Sequence, residues 1–166
     1  MRAGIALGSN VGDRLRNLQC ARDELRTLHR DSTPFVCSKI YETEPVGCAP
    51  GTQSFLNAVV EMDFGGDANA LWKSLREIET KLGRANARER NAPRSIDLDI
   101  VFFGELKINE PLLTIPHPRA HERRFVLQPL CDIGPFLILP GQTETVARLL
   151  EKLPPLPAVE VFPDSW

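Results

Sequence analysis

The stretch Ser95-Ile96-Asp97-Leu98-Asp99-Ile100-Val101-Phe102-Phe103 decides the reading of this chain. Ile96, Leu98, Ile100 and Phe102 alternate with Asp97 and Asp99, the period of a strand with one buried face. That period sends the apolar side chains into a core and both carboxylates to the opposite face. Upstream, Asp67 to Leu82 carries Leu71, Leu75, Ile78 and Leu82 at helical spacing, with Asp67 as cap and Gly83 as stop. Before it, Gln53 to Asp63 is rich in Phe, Val and Leu and reads as a strand. The N-terminal part has the same order. Arg2 to Gly8 is a short strand ending at a Gly8-Ser9-Asn10 turn. Asp13 to His29 is a helix with Leu15, Leu18, Leu25 and Leu28 on one face, and Pro34 to Glu42 is a second strand. Two strand-helix-strand halves predict an α+β, ferredoxin-like sandwich: a mostly antiparallel sheet with helices packed on one face.

The rest of the chain is less regular. Thr43 to Thr52 is punctuated by Pro45, Gly47, Pro50 and Gly51 and reads as a loop. Arg84 to Pro93 is polar apart from three alanines and Pro93 and reads as a mobile loop, open in the free protein and able to close as a lid. Of the 14 prolines, 10 lie from Pro111 onward. The last third is therefore expected to be a proline-rich extension of loops and short elements wrapping the sheet's edge. One helix is expected there, Thr143 to Leu153, with Val146, Leu149, Leu150 and Leu153 on one face.

The composition is globular. The chain has 166 residues, 42% apolar and 25% charged, with a formal net charge of −2. That length fits one domain over residues 1–166 with a core of its own. An acidic balance argues against coating nucleic acid by bulk charge. No apolar run approaches bilayer length, and the N-terminus turns polar at Ser9-Asn10 before a signal-peptide core could form. A cytoplasmic protein without nucleic-acid or membrane partners is expected. The four cysteines, Cys20, Cys37, Cys48 and Cys131, lack metal or redox spacing and read as small buried hydrophobes in a reducing compartment.

Asp97 and Asp99 carry the chemistry. Their Cα atoms would stand ~6.6 Å apart on one strand face. Two carboxylates that close repel unless a cation lies between them. Oxygen ligation suits Mg²⁺, and a pair of ions ~3.5–4 Å apart could share them with phosphate oxygens. The alternative is two solvated acids on an exposed face, but Asp is disfavoured inside strands. Lys81, Arg84, Arg88, Arg90 and Arg94 precede the strand, and His117, Arg119, His121, Arg123 and Arg124 follow it. Each cluster alone could be a solvated charge run. Flanking a dicarboxylate, they match a metal-polyphosphate site, where guanidinium forks neutralise charge during transfer. No G-x-x-x-x-G-K-[ST] occurs, so the chain is not a P-loop protein. Phe55, with Asn57 on the same strand face, and Phe125 are the nearby aromatics, and by themselves the two rings read as packing.

Taken together, these pieces resemble the 6-hydroxymethyl-7,8-dihydropterin pyrophosphokinase family. The matching segments are Leu7-Gly8-Ser9-Asn10, Tyr41 to Gly47, Phe55-Leu56-Asn57-Ala58, Ile78-Glu79 with Gly83-Arg84, Pro93 to Ile100, and Pro116-His117-Pro118 through Arg123 to Leu127. They run in the family's order over nearly the whole chain, and Pro93 to Asp99 is the most specific. The resemblance implies a ferredoxin-like fold and transfer of pyrophosphate from ATP to the pterin's hydroxymethyl group, with AMP leaving, in folate biosynthesis. It implies Asp97 and Asp99 as ligands of two Mg²⁺ ions and Arg84 and Arg94 as catalytic arginines. Phe55 and Phe125 would sandwich the pterin, with Asn57, Thr43 and Val46 contacting its ring. Glu79, Arg94, Ile100, Thr114, His117 and Arg123 would contact ATP.

The chain departs from the family's pattern at Asn91, where a tryptophan is usual, at Asn86 and Leu112, where arginines are usual, and at Phe55, which replaces a tyrosine. These changes bear on loop closure and ATP affinity more than on the chemistry. The chain reads as a monofunctional monomer. A single-stranded RNA module would need an aromatic-rich strand and a basic face, and here that face carries Asp97 and Asp99. A degenerate binding subunit would not keep Asp97, Asp99, Arg84 and Arg94.

Overall fold

The computed structural model describes residues 1–45, 51–83, 95–164 and 166. The expected loop from Arg84 to Pro93, Arg94 beside it, and Val46 and Cys48 lie outside the described residues. The strands are β1 (Arg2–Ser9), β2 (Val36–Cys37), β3 (Tyr41–Thr43), β4 (Phe55–Asp63), β5 (Asp97–Phe103), β6 (Ile108–Asn109), β7 (Thr114–Ile115) and β8 (Val159–Val161). The helices are α1 (Arg14–Leu28), α2 (Ala68–Lys81), α3 (Arg124–Ile133) and α4 (Val146–Lys152), with a 3₁₀ turn at Ala120–Glu122. One sheet runs β5-β1-β4-β3-β8, with β2 also beside β4. Each of its pairings is antiparallel. The first two helices start where the sequence places caps. Asp13 accepts from the Arg16 N–H at 3.0 Å, and Asp67 from the Ala70 N–H at 2.7 Å. Gly83 ends α2 with φ +86°, a left-handed conformation that glycine adopts without strain.

The sheet is covered on both faces. Ala3, Ile5 and Leu7 of β1 and Leu56, Ala58, Val60 and Met62 of β4 meet Leu18, Ala21 and Leu25 of α1 and Leu71, Leu75 and Ile78 of α2. The expectation of helices on one face only is corrected by a second core. There Val59, Val101 and Phe102 meet Val126, Leu127 and Leu130 of α3 and Val146 of α4. The last third thus supplies a second layer as well as β8 at the sheet edge. Sequence reading misses α3 because Pro129 stands inside it, where proline removes a helical hydrogen bond.

Four further expectations are corrected. Phe102 does not share a face with Ile96, Leu98 and Ile100. The β1–β5 register passes from Ile5↔Ile100 to Gly4↔Phe102, so Val101 is an extra residue, a β-bulge. The bulge turns Phe102 into the second core and Phe103 into the first. Gly4 makes room for it, since a Cβ there would lie 2.2 Å from Phe102 Cε1. The second strand is broken at Ser38-Lys39-Ile40. The Ser38 N–H donates to Val59 O at 2.9 Å, and Ser38 Oγ accepts from the Val59 N–H at 2.9 Å. The Lys39 N–H turns away to Asp132 at 3.1 Å, which interrupts the ladder. Finally, Gly8 and Ser9 belong to β1 and not to a turn. Cys20, Cys37 and Cys131 are free and half-buried rather than fully buried.

Candidate active site

One end of the sheet's second face gathers the residues that the sequence singles out. Asp97 pairs with Gly8, Gly8 with Asn57, and Asn57 with Tyr41. Paired residues of antiparallel strands share a face, so Asp97, Gly8, Asn57 and Tyr41 form a row across four strands. Two strand spacings put the Asp97 and Asn57 backbones ~9–10 Å apart. Gly8 lies between them without a side chain, and a Cβ there would stand 3.5 Å from Asn57 Oδ1. It opens a smooth floor between an amide and a carboxylate. Asp99 lies one row along, opposite Ala6, and Phe55 pairs with Thr43 at the other side of the floor.

The polar groups on the floor are fixed. Asn57 is buried, and its Nδ2 donates to Thr43 Oγ1 at 2.7 Å. That bond leaves the Asn57 carbonyl oxygen as the acceptor end of the amide. Tyr41 donates its hydroxyl to Asp132 on α3 at 2.9 Å. Burial and this bond push the Tyr41 hydroxyl up to about 12. On the sheet's other face, where Ser9 pairs with Leu56, Ser9 Oγ donates to Ser95 O at 2.5 Å and accepts from Asn17 Nδ2 at 3.2 Å, which ties the segment before β5 to the end of β1. Sequence reading places Ser9 in a turn. Its signal is a small polar residue at the end of an apolar strand.

The acidic end is faced by basic side chains from α2 and from the segment between β7 and α3. Burial, and after it the Asp97 carboxylate, push Asp99 above the ordinary aspartate range, while His117, Arg76 and Arg123 pull it down. Burial likewise lowers His117, against the pull of Asp99. The Arg119 N–H donates to His117 Nδ1 at 3.1 Å, which assigns the hydrogen of the neutral ring to Nε2. That Nε2 stands 3.4 Å from an Arg123 guanidinium nitrogen. Two donors so placed both call for an acceptor, such as a phosphate oxygen, between them. The Arg123 guanidinium also lies 5.5 Å from the centre of the Phe125 ring. Phe125 begins α3, half-buried at the edge of the second core.

Arg76 on α2, which sequence reading passes over, approaches Asp99 at 3.9 Å and pairs with Glu79 at 2.7 Å. The expected nucleotide residues divide. Thr114, His117 and Arg123 are half-buried and reachable. Glu79 is 1% exposed, and its carboxylate accepts from the Leu98 N–H at 2.8 Å. The Ile100 side chain packs in the first core, opposite Asp99. Among the described residues no cluster of three or more His, Cys, Asp or Glu could hold a metal. The donor set is two carboxylates with oxygen atoms alone, which fits Mg²⁺ when substrate phosphates complete its shell and does not fit a metal that needs nitrogen or sulfur.

The chain is also similar to known proteins. A profile of the family described as 7,8-dihydro-6-hydroxymethylpterin-pyrophosphokinase matches residues 4–135. The 2-amino-4-hydroxy-6-hydroxymethyldihydropteridine pyrophosphokinase of Bacillus subtilis is 43% identical over 133 residues, covering 79% of this chain and 77% of its own. Its Synechocystis counterpart is 34% identical over 151 residues, covering 91% of this chain and 75% of its own. The mitochondrial folate synthesis bifunctional protein of Pisum sativum is 41% identical over 129 residues, but the match spans only 24% of that longer protein. Among solved structures, Plasmodium falciparum HPPK-DHPS wild type with pteroate superposes with a TM-score of 0.70 at 15% identity, over 91% of this chain and 44% of that one. That likeness speaks for the fold alone. The chain belongs to the 7,8-dihydro-6-hydroxymethylpterin-pyrophosphokinase family, whose reaction is pyrophosphoryl transfer in folate biosynthesis.

Proposed function

We propose that this chain transfers pyrophosphate from ATP to the hydroxymethyl group of 6-hydroxymethyl-7,8-dihydropterin across the floor between Asn57 and Asp99. The hydroxymethyl oxygen bonds to the β-phosphorus of ATP, the bond from that phosphorus to the α,β-bridging oxygen breaks, AMP leaves and the hydroxyl proton is released. The observation that carries this reading is the row Asp97-Gly8-Asn57. It sets a recognition amide and a dicarboxylate about one bicyclic ring apart on one rigid sheet. Asn57, held by Thr43, meets the pterin's polar edge. Phe55 and Phe125 stack on its faces, and Val46 contacts its rim. Asp97 and Asp99 would hold two Mg²⁺ ions, which supply charge neutralisation at the phosphates. His117 Nε2 and Arg123 donate to phosphate oxygens on the far side, and Arg84 and Arg94 stabilise charge that builds on transfer. Thr114 borders the nucleotide. Glu79 and Ile100, with inward side chains, shape its wall through the main chain.

The strand order β5-β1-β4-β3 and the alternation with α1 and α2 support a ferredoxin-like core, to which residues 104–166 add a proline-rich extension. Both cores share the one sheet, which supports a single domain over residues 1–166. We take the chain to act as a monomer. We place it in the cytoplasm. Among the described residues no helix is long and apolar enough to cross a membrane. Calorimetry of ligand binding tests the residue roles. Phe55→Ala, Phe125→Ala and Asn57→Ala should each weaken pterin binding by ~1–3 kcal/mol while barely changing ATP binding. His117→Ala should do the reverse. Equal losses for both ligands in the phenylalanine variants would make those rings structural and overturn the pocket.

A further inference from the structure

β5 is an edge strand at the place that matters most. It pairs with β1 on one side, and among the described residues no strand of the sheet flanks its other side. In an antiparallel pair, alternate residues turn their N–H and C=O toward the partner, and the residues between them turn both groups away. Leu98, between Asp97 and Asp99, turns away from β1, and both of its main-chain groups are taken by α2. Glu79 accepts from the Leu98 N–H at 2.8 Å, and an Arg76 guanidinium nitrogen donates to Leu98 O. The two side chains are joined to each other at 2.7 Å, one turn apart on the helix. Together they stand in for a missing strand across a single residue. Because they hold both peptide units of Leu98, they hold the two peptide planes from which the Asp97 and Asp99 side chains spring. The same guanidinium comes within 3.9 Å of Asp99.

Packing alone does not call for this arrangement. Glu79 is 1% exposed, and a charge so deep costs more to bury than an apolar residue of the same size. The fork of Arg76 is spent on a backbone carbonyl, a buried carboxylate and a functional carboxylate together, which a lysine could not reproduce. We infer that the Arg76–Glu79 pair is a positioning device that caps the open edge of β5 at Leu98 and thereby fixes the spacing of Asp97 and Asp99. The inference rests on the metal reading of those carboxylates.

The test compares the wild type with the double variant Arg76→Met/Glu79→Met, which removes the pair without leaving a lone buried charge. Amide hydrogen exchange is followed by NMR, Mn²⁺ binding by electron paramagnetic resonance, and melting by calorimetry. The Leu98 amide should exchange at least about tenfold faster while the Asp97 and Asp99 amides, turned toward β1, keep their protection. The Mn²⁺ dissociation constant should rise at least about tenfold, as for other groups that orient metal ligands, with the melting temperature close to wild type. Unchanged Leu98 exchange or unchanged Mn²⁺ affinity would overturn the inference, since a merely structural pair would move stability alone. Asp97→Asn in the wild-type background separates the two readings. If it leaves Mn²⁺ binding intact, the metal assignment fails and with it the positioning role, whatever Leu98 does. Should the double variant not fold, Arg76→Lys decides by the same readouts, because one ammonium cannot serve Leu98 O and Glu79 in fork geometry. Wild-type values there would overturn the inference.

Discussion

Asp99, proposed above as a metal ligand, carries an electrostatic cost in the free protein. Its ordinary value is raised by burial and by Asp97, so in the metal-free protein folding favours its protonated form. A raised folded value gives stability that is present below the unfolded carboxylate range and lost as pH rises through the folded value. At neutral pH the ionised side chain is therefore a modest burden, since 42% of it is open to screening by solvent. Asp99→Asn should raise the melting temperature of the metal-free protein at pH 7, and the gain should shrink as pH falls from the raised folded value toward the ordinary carboxylate range, below which it is gone. If Asp99 is the metal ligand proposed above, the same change should cut turnover by roughly a hundredfold or more. Thermal melts across pH with and without Mg²⁺, beside steady-state rates, check both. A stabilised variant with full activity would remove Asp99 from the site.

The β-bulge in β5 shows what an element can hide. It lets one strand serve two cores, with Leu98 and Ile100 on one side and Val101 and Phe102 on the other. Gly4→Ala puts a methyl into the Phe102 ring, and urea denaturation should show a loss of ~1–3 kcal/mol, typical of overpacking. Wild-type stability would mean that the ring moves aside without cost. Alternation alone makes β5 legible in the sequence, and with it the placing of Asp97 and Asp99 on one face. The two main helices are legible because their caps and leucine spacing agree. The bulge is not, since one extra residue leaves the local pattern apolar on both faces. Nor is α3, where Pro129 speaks against a helix that burial of Val126, Leu127 and Leu130 nevertheless favours. The Ser38 break depends on Val59, which is remote in sequence. At the site, the carboxylates, His117 and Arg123 are readable from charge and spacing. Arg76 is not, because an arginine on an amphipathic helix looks solvated until Glu79 and Leu98 are seen beside it.

At the scale of the whole molecule, the sheet joins two layers that make different parts of the site. α2 backs the carboxylates, and α3 carries Phe125 on the other face. Tyr41 bolts the sheet to α3 through Asp132, and Tyr41→Phe should cost roughly 1.5–3 kcal/mol at neutral pH, the range for a hydrogen bond to a charged group. The Tyr41 hydroxyl titrates at about 12, above its unfolded value, so its contribution is complete below the ordinary tyrosine range and fades as pH rises through about 12. Urea melts of both proteins should therefore converge in strong alkali. A gap that persists there would assign the loss to packing. The central claim is that the floor between Asn57 and the aspartates couples a pterin hydroxyl to the β-phosphorus of ATP. Product analysis tests it most directly: Mg²⁺-ATP is incubated with and without 6-hydroxymethyl-7,8-dihydropterin, and the nucleotides and pterins are separated and counted. The account requires AMP and pterin pyrophosphate in equal amounts, formed only when pterin and metal are both present and lost in Asp97→Asn. ADP as the product, or AMP released at the same rate without pterin, would contradict it.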